Sequence, residues 1–208
     1  MTRRALDRRL HRDARRGQLV QAGRQLALTT PFDQIAPEAV ARAVGVSKAL
    51  VFHYFPTKRH LQVAIVRDAA AELLARLDID NRRILPPDEG LRTGLEAFVS
   101  FIEEQPENYL AIARSAGSDP QLLAVFEETR GAIAQGILDA MRVTGPPSGL
   151  RIMIRGYIAM VEEAVLHWLE DKAVPREELI GFLERAATTM LPDALVTFSR
   201  PPEAEAAG

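Results

Sequence analysis

The sequence predicts an all-α protein of about nine helices. Alternating runs of β-branched residues, which mark strands, do not occur along the chain. Ala, Leu, Glu and Arg dominate its composition, and Pro and Gly divide it into stretches of helical length. With 208 residues, 47% of them hydrophobic, the chain is long enough to bury one large core or two small ones.

The first three predicted helices are bounded by local signals. Apolar spacing predicts a second helix, opened by a proline, over residues 37–44, after a first helix nearer the N-terminus. Gly45 suits the end of the second helix, and Ser47 suits the N-cap of a third. Pro56 stops that third helix after about two turns. A helix, a glycine-containing turn and a short helix form the helix-turn-helix pattern.

The remaining helices follow from the same punctuation. Thr57 suits the N-cap of a fourth helix over residues 58–77, and residues 81–87 form a break. Five further helices are predicted over about residues 87–105, 106–117, 120–143, from 148 to near 172, and 175–191. The tail after Pro201 has no large apolar residue and is predicted to be disordered.

The third helix has an unusual solvent face. Val46, Val51 and Phe55 point inward in its helical spacing, and no acid occurs between residues 39 and 64. The outward residues are Ser47, Lys48, Leu50, Phe52, His53 and Tyr54. Hydroxyl and cationic groups suit phosphates, and apolar groups such as Leu50 suit thymine methyls in a major groove. The face is therefore typical of a nucleic-acid reader.

Charge is divided unequally along the chain. Residues 1–60 carry 12 basic and 4 acidic residues, whereas residues 61–208 carry 14 and 24. The resulting net charges of +8 and −10 would steer the first part toward a polyanion. Residues 1–17 alone contain seven Arg and two Asp. This arm either lies along a minor groove or the phosphate backbone, or it is a disordered, solvated tail.

The stretch from residue 16 to residue 61 resembles the DNA-binding domain of the tetracycline-repressor (TetR) family. The resemblance rests on the helix over residues 18–29, on Phe32, and on the run VARAVGVSKALVFHYFPTKRHL from residue 40 to residue 61. It implies that double-stranded DNA is contacted by Ser47, Lys48, Ala49, Leu50, Phe52, His53, Tyr54 and Lys58. Tyr54 and Lys58 would clamp the DNA backbone, and Ser47, Lys48 and Leu50 would lie nearer the base edges.

Four positions depart from the family pattern. Ala36 replaces the usual Thr or Ser cap, Ala49 replaces Gly, Leu50 replaces Thr and Phe52 replaces Tyr. Each change removes a polar group or adds an apolar one. We therefore expect a contact set that depends less on phosphates, and the operator sequence of a relative does not carry over to this chain.

The last two long helices are predicted to form a homodimer interface. Apolar residues occur nearly all round the helix between residues 152 and 169, and they recur between residues 179 and 191. A helix that is apolar all round is buried on more than one side. A two-fold dimer would place two recognition helices ~34–36 Å apart, or a multiple of that, on a palindromic site. The alternative is a monomer with a thicker core.

The resemblance also implies a small-molecule effector in the body of the protein. Candidate lining residues are Phe98, Phe101, Tyr109, Phe126, Met153, Tyr157, Met160 and Trp168. Each of them is more simply explained as an ordinary core residue, so none is assigned as an effector contact. The predicted division is a basic arm and DNA-binding domain over residues 1–60, an effector-binding and dimerisation domain over residues 61–200, and a tail over residues 201–208.

Catalytic and metal sites are not predicted. The chain has no cysteine, which excludes disulfides and thiolate chemistry, and it has no glycine-rich phosphate loop. Glu163, His167 and Glu170 share a helix face at metal-ligand spacing, but a surface ion pair or a polar rim of the interface is the simpler explanation. No cofactor is expected. No apolar run reaches membrane-spanning length, so a cytoplasmic protein without a membrane partner is the simplest expectation.

Two functional classes remain open from the sequence. The first is a ligand-responsive dimeric regulator of transcription, most simply a repressor. The second is an all-α enzyme or ligand carrier in which the basic segment is incidental. Retention on heparin that is reversed steeply by salt distinguishes the first class from the second.

Overall fold

The computed structural model describes residues 3–77 and 87–199. These residues form nine α-helices and one short 3₁₀ turn, Phe32–Gln34, and no strand occurs among them. The helices are α1 Arg3–Ala27, α2 Pro37–Val44, α3 Lys48–Tyr54, α4 Lys58–Leu77, α5 Pro87–Glu103, α6 Pro106–Ala116, α7 Pro120–Ala140, α8 Ser148–Asp171 and α9 Arg176–Ser199. The predicted all-α class is confirmed.

The chain packs as two compact units. The first unit is drawn from Met1–Glu72 and Gln105–Phe126, and the second from Leu73–Glu104 and Glu127–Gly208. Helices α4 and α7 therefore contribute residues to both units. The predicted boundary at residue 60 divides the chain by function, into a DNA-binding domain and an effector-binding domain, and not by packing. It stays a prediction.

The core of the first unit joins α1, α2, α3 and α4. Its fully buried side chains include Leu19, Ile35, Val40, Val51, Phe55 and Leu61. In α1, a side chain at Gly23 would overlap the side chain of Ile65 in α4. The absence of a Cβ there lets the two helices approach closely, which fixes α1 against the helix that follows the helix-turn-helix.

Side-chain hydrogen bonds hold the connection between α1 and α2. The Phe32 amide donates to Asn108 Oδ1 at 2.9 Å, and Gln62 Nε2 donates to the Phe32 carbonyl at 3.0 Å. Asn108 Nδ2 also donates to the Ala27 carbonyl at the end of α1. These bonds satisfy backbone groups that the helices leave unpaired, so the turn before α2 has a defined position.

The second unit is built on α8 and α9, which pack together, with α5 against α9. The inward residues of α8 and α9 include Leu150, Ile154, Val165, Ile180 and Leu183. Each of these residues is fully buried. Burial of these apolar side chains between the helices stabilises the pair, because most helical stability in proteins comes from packing of an apolar face.

Two predicted helix boundaries were wrong. The first helix begins at Arg3 rather than at residue 18, because residues 3–16 contain neither Pro nor Gly and are rich in good helix formers. The last helix continues through Pro192 to Ser199 instead of ending near residue 191. Beyond the proline, Ala194 is buried, and the ring of Phe198 lies against Gly149. This packing offsets the hydrogen bond that the proline removes.

Two predicted features lie largely or wholly outside the described residues. They are the break over residues 81–87, of which only Pro87 is described, and the disordered tail after residue 200. By contrast, residues 3–16 of the basic arm belong to α1, so the alternative of a disordered tail is wrong for that segment.

Candidate nucleic-acid interface and cavity

The turn between α2 and α3 has the geometry that the sequence signals predict. Gly45 ends α2 in the left-handed region, with φ 70° and ψ 36°, and the Val46 amide donates to the Ala41 carbonyl at 3.0 Å. Ser47 caps α3 by accepting a hydrogen bond from the Leu50 amide at 3.2 Å. These contacts set the direction in which α3 leaves α2.

The structure places all eight predicted DNA-contacting residues at the surface of the first unit. Five of them are exposed: Ser47, Lys48, Ala49, His53 and Lys58. Three of them are half-buried: Leu50, Phe52 and Tyr54. Val51 and Phe55 anchor the opposite face of α3 in the core. The contact of the eight surface residues with DNA stays a prediction.

Lys48 has two neighbours that orient it. Its ammonium group pairs with the Glu38 carboxylate of α2, and it lies 5.5 Å from the centre of the Phe52 ring. The hydrogen bond from Lys48 lowers the pKa of Glu38 below its usual value. The sequence reasoning missed Glu38, which lies just outside the acid-free run of residues 39–64. Pairing across the turn depends on its geometry, and no sequence signal marks it.

Arg16 of α1 lies beside the end of α3. Its guanidinium group is 5.2 Å from the centre of the buried Phe55 ring. Arg12 and Arg15 are exposed on the same helix, and Arg15 Nη1 donates to Gln18 Oε1 at 2.9 Å. The basic arm is therefore helical, and Arg16 ties it to the residue that follows Tyr54.

Lys58 lies at the first turn of α4, where unpaired amides favour anions. Its ammonium group donates to the Asp33 carbonyl. Thr57 Oγ1 accepts a hydrogen bond from the His60 amide at 3.2 Å, which confirms the predicted cap. A cation at a helix N-terminus is suited to a phosphate.

The second unit contains a cavity of about 420 Å³. This volume falls within the range of small-molecule sites. Its described lining is almost wholly apolar: Leu77, Gly90, Leu91, Gly94, Leu95, Phe98, Ile133, Gly136, Ile137, Ala140, Met141, Tyr157, Ile158, Val161, Glu162, Ala187, Thr188, Leu191 and Pro192. Most of these residues are small or aliphatic.

Of the eight aromatic and methionine candidates, only Phe98 and Tyr157 line this cavity. The other six candidates, Phe101, Tyr109, Phe126, Met153, Met160 and Trp168, are not among its lining residues. Tyr109 and Phe126 pack against each other in the first unit, with ring centres 6.5 Å apart. The Trp168 indole donates to the Val174 carbonyl at 2.8 Å. Residue type alone did not distinguish core positions from cavity positions.

Among the described lining residues, Glu162 alone carries a charge. Glu162 Oε2 accepts hydrogen bonds from Arg130 Nε at 2.9 Å and from Arg130 Nη2 at 2.6 Å. Arg130 Nη1 also donates to Glu127 Oε1 at 3.0 Å. Nearby, burial raises the pKa of Tyr157 above its usual value, so its hydroxyl keeps its proton. Glu162 is thus held in place on a wall whose other described residues are mostly apolar.

The Glu163–His167 pair lies on the surface of α8. The Nδ1 atom of His167 is 3.4 Å from Glu163 Oε1, and both side chains are exposed, which confirms the alternative of a surface pair. No group of three or more metal-ligating side chains occurs among the described residues. None of the described helices is long and apolar enough to cross a membrane.

Large apolar side chains remain exposed on α8 and α9. The exposed fractions of Ile152, Phe182 and Val196 are 68%, 59% and 57%. Met160 and Phe198 are also exposed. Several exposed apolar residues on two helices that pack together are typical of a surface that meets another protein.

The fold and the α3 surface together define a helix-turn-helix DNA-binding regulator with a helical body. The family model described as "Bacterial regulatory proteins, tetR family" matches residues 19–65. The model described as "Tetracyclin repressor-like, C-terminal domain" matches residues 87–190, half of the chain. The chain belongs to the TetR family of DNA-binding transcriptional regulators.

Individual relatives agree with this assignment. The HTH-type transcriptional activator FasR of Mycolicibacterium smegmatis is 25% identical to this chain, and the matched region spans 83% of this chain and 80% of FasR. A tetR-family regulator from Streptomyces coelicolor has a TM-score of 0.75 and 26% identity, over 89% of this chain and 83% of its own. The regulator LfrR of Mycobacterium smegmatis, solved with proflavine, has a TM-score of 0.52 and 21% identity, over 86% of this chain and 97% of the LfrR chain.

Proposed function

We propose that this chain is a homodimeric repressor that binds a palindromic operator through α3 and is released by a small molecule in the cavity. The observation that carries the proposal is the solvent face of α3. Ser47, Lys48 and His53 are exposed there, and the anchoring residues Val51 and Phe55 are buried behind them. An anchored helix with donor groups outward is suited to a major groove.

The eight residues divide by role in this proposal. Lys58 and Tyr54 hold the DNA backbone, because an ammonium at a helix N-terminus and a phenol both suit phosphates. Ser47, Lys48 and Leu50 lie at the start of α3, the part of a recognition helix that reaches base edges. The methyl group of Ala49 and the side chains of Leu50 and Phe52 supply apolar contacts to thymine methyls.

Dimerisation through α8 and α9 is supported by their exposed apolar residues. Ile152 on α8 and Phe182 on α9 are each more than half exposed in the single chain. A two-fold axis at this surface would bury both residues twice and pair two DNA-binding units. Such pairing explains why one short helix-turn-helix would suffice for a specific site.

The cavity supports control by a small molecule. Helix α4 carries Lys58 in its first turn and the cavity-lining residue Leu77 at its end. A molecule that prefers one arrangement of this helix lowers DNA affinity by its differential binding energy, typically ~1–3 kcal/mol. LfrR, which shares the fold, was solved with proflavine. We propose action in the cytoplasm, where chromosomal DNA is accessible, and no catalytic role.

Selection of bound duplexes from a random DNA library tests this function. We expect enrichment of a palindrome, and an affinity for it that falls steeply with salt. A reporter placed behind the selected site then measures the sign of regulation. Absence of enrichment by the folded protein, both alone and with cell extract added, would reject the proposal in favour of an enzyme or carrier.

Substitutions separate base contacts from backbone contacts. Leu50→Ala should change the base preferred at one position of each half-site, by about 1–3 kcal/mol of discrimination. Lys58→Ala and Tyr54→Phe should weaken binding to all sequences about equally. Repeating the selection with each variant measures both effects. An unchanged consensus for Leu50→Ala, or a sequence-dependent loss for Lys58→Ala, would contradict the assigned roles.

A further inference from the structure

The polar groups on the cavity wall share one property: among the described lining residues, their hydrogen-bonding protons are either absent or already engaged. We propose that the cavity takes an apolar molecule whose head group donates hydrogen bonds, such as an amine or an alcohol, and that it discriminates against carboxylates. This inference rests on the proposed function, because it assigns the chemical class of the molecule that would control DNA binding.

Glu162 presents an acceptor. Both hydrogen bonds from Arg130 end on Oε2, at 2.9 and 2.6 Å, and neither ends on Oε1. An ionised carboxylate has about four acceptor positions and no donor. The side chain of Glu162 is only 13% exposed, so a donor on a bound molecule would meet it in surroundings poor in water.

Both hydroxyl groups on the wall have already used their protons. The Tyr157 hydroxyl donates to the Leu183 carbonyl at 3.0 Å. The Thr188 hydroxyl donates to the Glu184 carbonyl at 3.1 Å and to the Arg185 carbonyl at 3.2 Å. Each hydroxyl has one proton, so toward the cavity each can only accept a hydrogen bond.

Pro192 leaves one carbonyl of a wall residue without its usual helical donor. It lies inside α9 and lines the cavity together with Thr188, four residues earlier. Proline has no amide hydrogen, so the Thr188 carbonyl lacks the helical donor that any other residue at position 192 would supply. The helical glycines of the wall offer no side-chain donor. The described wall therefore combines apolar surface with acceptors alone.

The energetic consequence is a selection by head group. An ammonium or hydroxyl group meets acceptors, and the apolar chain replaces water along the aliphatic wall. A carboxylate would place its oxygens against acceptor oxygens and lose its hydration without a partner. A ketone would leave both its own oxygen and the wall acceptors unpaired. Arg130 does not line the cavity, and its guanidinium already holds Glu162.

A matched series of ten-carbon probes tests the inference. Calorimetric titration of the full chain at pH 7 would compare decylamine, 1-decanol, 2-decanone and decanoate, with light scattering to verify that no micelles form. We expect the amine and the alcohol to bind at least about tenfold more tightly than the ketone and the carboxylate, as for a site built around hydrogen-bonded polar groups. Equal binding of all four, tighter binding of decanoate, or no measurable binding of any probe would overturn it.

Glu162→Gln tests the residue. The amide keeps an oxygen for Arg130 and introduces donors, so the preference for decylamine over decanoate should fall by about tenfold. Glu163→Gln is the matched control, because this neighbouring side chain is 69% exposed and does not line the cavity. If the preference survives in Glu162→Gln, the assignment to Glu162 is wrong.

Pro192→Ala is an independent variant that leaves the carboxylate untouched. It supplies the missing amide to the Thr188 carbonyl, so affinity for decylamine and 1-decanol should fall while that for 2-decanone stays. A fall for all probes alike would point to a change of cavity shape and would contradict the acceptor role. DNA binding measured on the same preparations keeps the two proposals apart. If DNA binding is intact and the probes fail, only the inference about the ligand is rejected.

Discussion

Lys48, a predicted DNA contact, is paired with a carboxylate in the DNA-free protein. Its ammonium group pairs with Glu38, and both side chains are largely exposed, at 58% and 42%. A pair so accessible to solvent contributes little to stability. In a complex, the same carboxylate would lie near phosphates that carry its own sign of charge. We therefore expect Glu38 to compete with DNA for the Lys48 ammonium group.

Glu38→Gln should raise the affinity for nonspecific duplex DNA by roughly fivefold at low salt, the size expected when one unit charge near a phosphate is removed in water-like surroundings. Because the hydrogen bond from Lys48 lowers the pKa of Glu38, the carboxylate stays ionised through mildly acidic conditions. The gain should therefore be constant between pH 6 and 8. Fluorescence anisotropy measures it, with Glu163→Gln as the control for net charge. Unchanged or weaker binding would show that Glu38 does not restrain Lys48.

Two glycines should respond oppositely to the same substitution. Gly45 has φ 70°, so Gly45→Ala should lower the free energy of unfolding by ~1–2 kcal/mol. Gly17 lies exposed in α1 with nothing within 4 Å of an added Cβ, so Gly17→Ala should raise it by ~0.5–1 kcal/mol. Urea denaturation measures both changes. A loss in both variants would mean that α1 does not extend across Gly17.

At the scale of elements, boundaries were predictable where one residue decides them. Gly45, Ser47 and Pro56 each start or stop a helix through local backbone geometry within one turn of it. The bounds of α2 and α3 match the prediction. The end of α9 was not predictable, because burial of Ala194 against distant residues outweighs the local effect of Pro192. Glu162 was missed for a similar reason. Only the tertiary packing places this residue on the cavity wall.

The basic arm is the element whose role is least determined by its sequence. As part of α1, it exposes Arg12 and Arg15, and Arg16 lies against Phe55 beside the recognition helix. We expect Arg12 and Arg15 to neutralise phosphates flanking the site read by α3. Because the arm is helical, only the arginines on one of its faces can reach phosphates at the same time. Substitution of those arginines therefore measures their contribution to DNA binding.

The double substitution Arg12→Ala and Arg15→Ala should reduce the slope of log affinity against log salt by about 1.8, because each phosphate contact contributes about 0.9. The base preference should stay the same, since phosphate contacts carry no sequence information. Replacing both residues by Lys is the control, because an ammonium group also neutralises a phosphate. Titrations between low and moderate salt measure the slope, and an unchanged slope would place the arm away from DNA.

At the scale of the whole molecule, we expect specificity to depend on pairing two DNA-binding units. A single α3 is seven residues long and presents few side chains to bases. Linking two such units converts the second binding event into an intramolecular one, which raises affinity by about 10²–10⁴. The exposed apolar residues on α8 and α9 are the surface suited to that link. The oligomeric state and the DNA affinity should therefore change together.

Phe182→Glu should make the protein monomeric and lower its affinity for the palindromic operator by at least about 100-fold, because two like charges would meet near the two-fold axis in an apolar interface. Light scattering after size-exclusion chromatography gives the mass, and anisotropy gives the affinity. Leu123→Glu is the matched control, since Leu123 is a 42%-exposed apolar residue of α7, outside α8 and α9. The control should remain dimeric and bind the operator. A dimeric Phe182→Glu variant would place the interface elsewhere, whereas a monomeric variant with full affinity would remove the need for pairing.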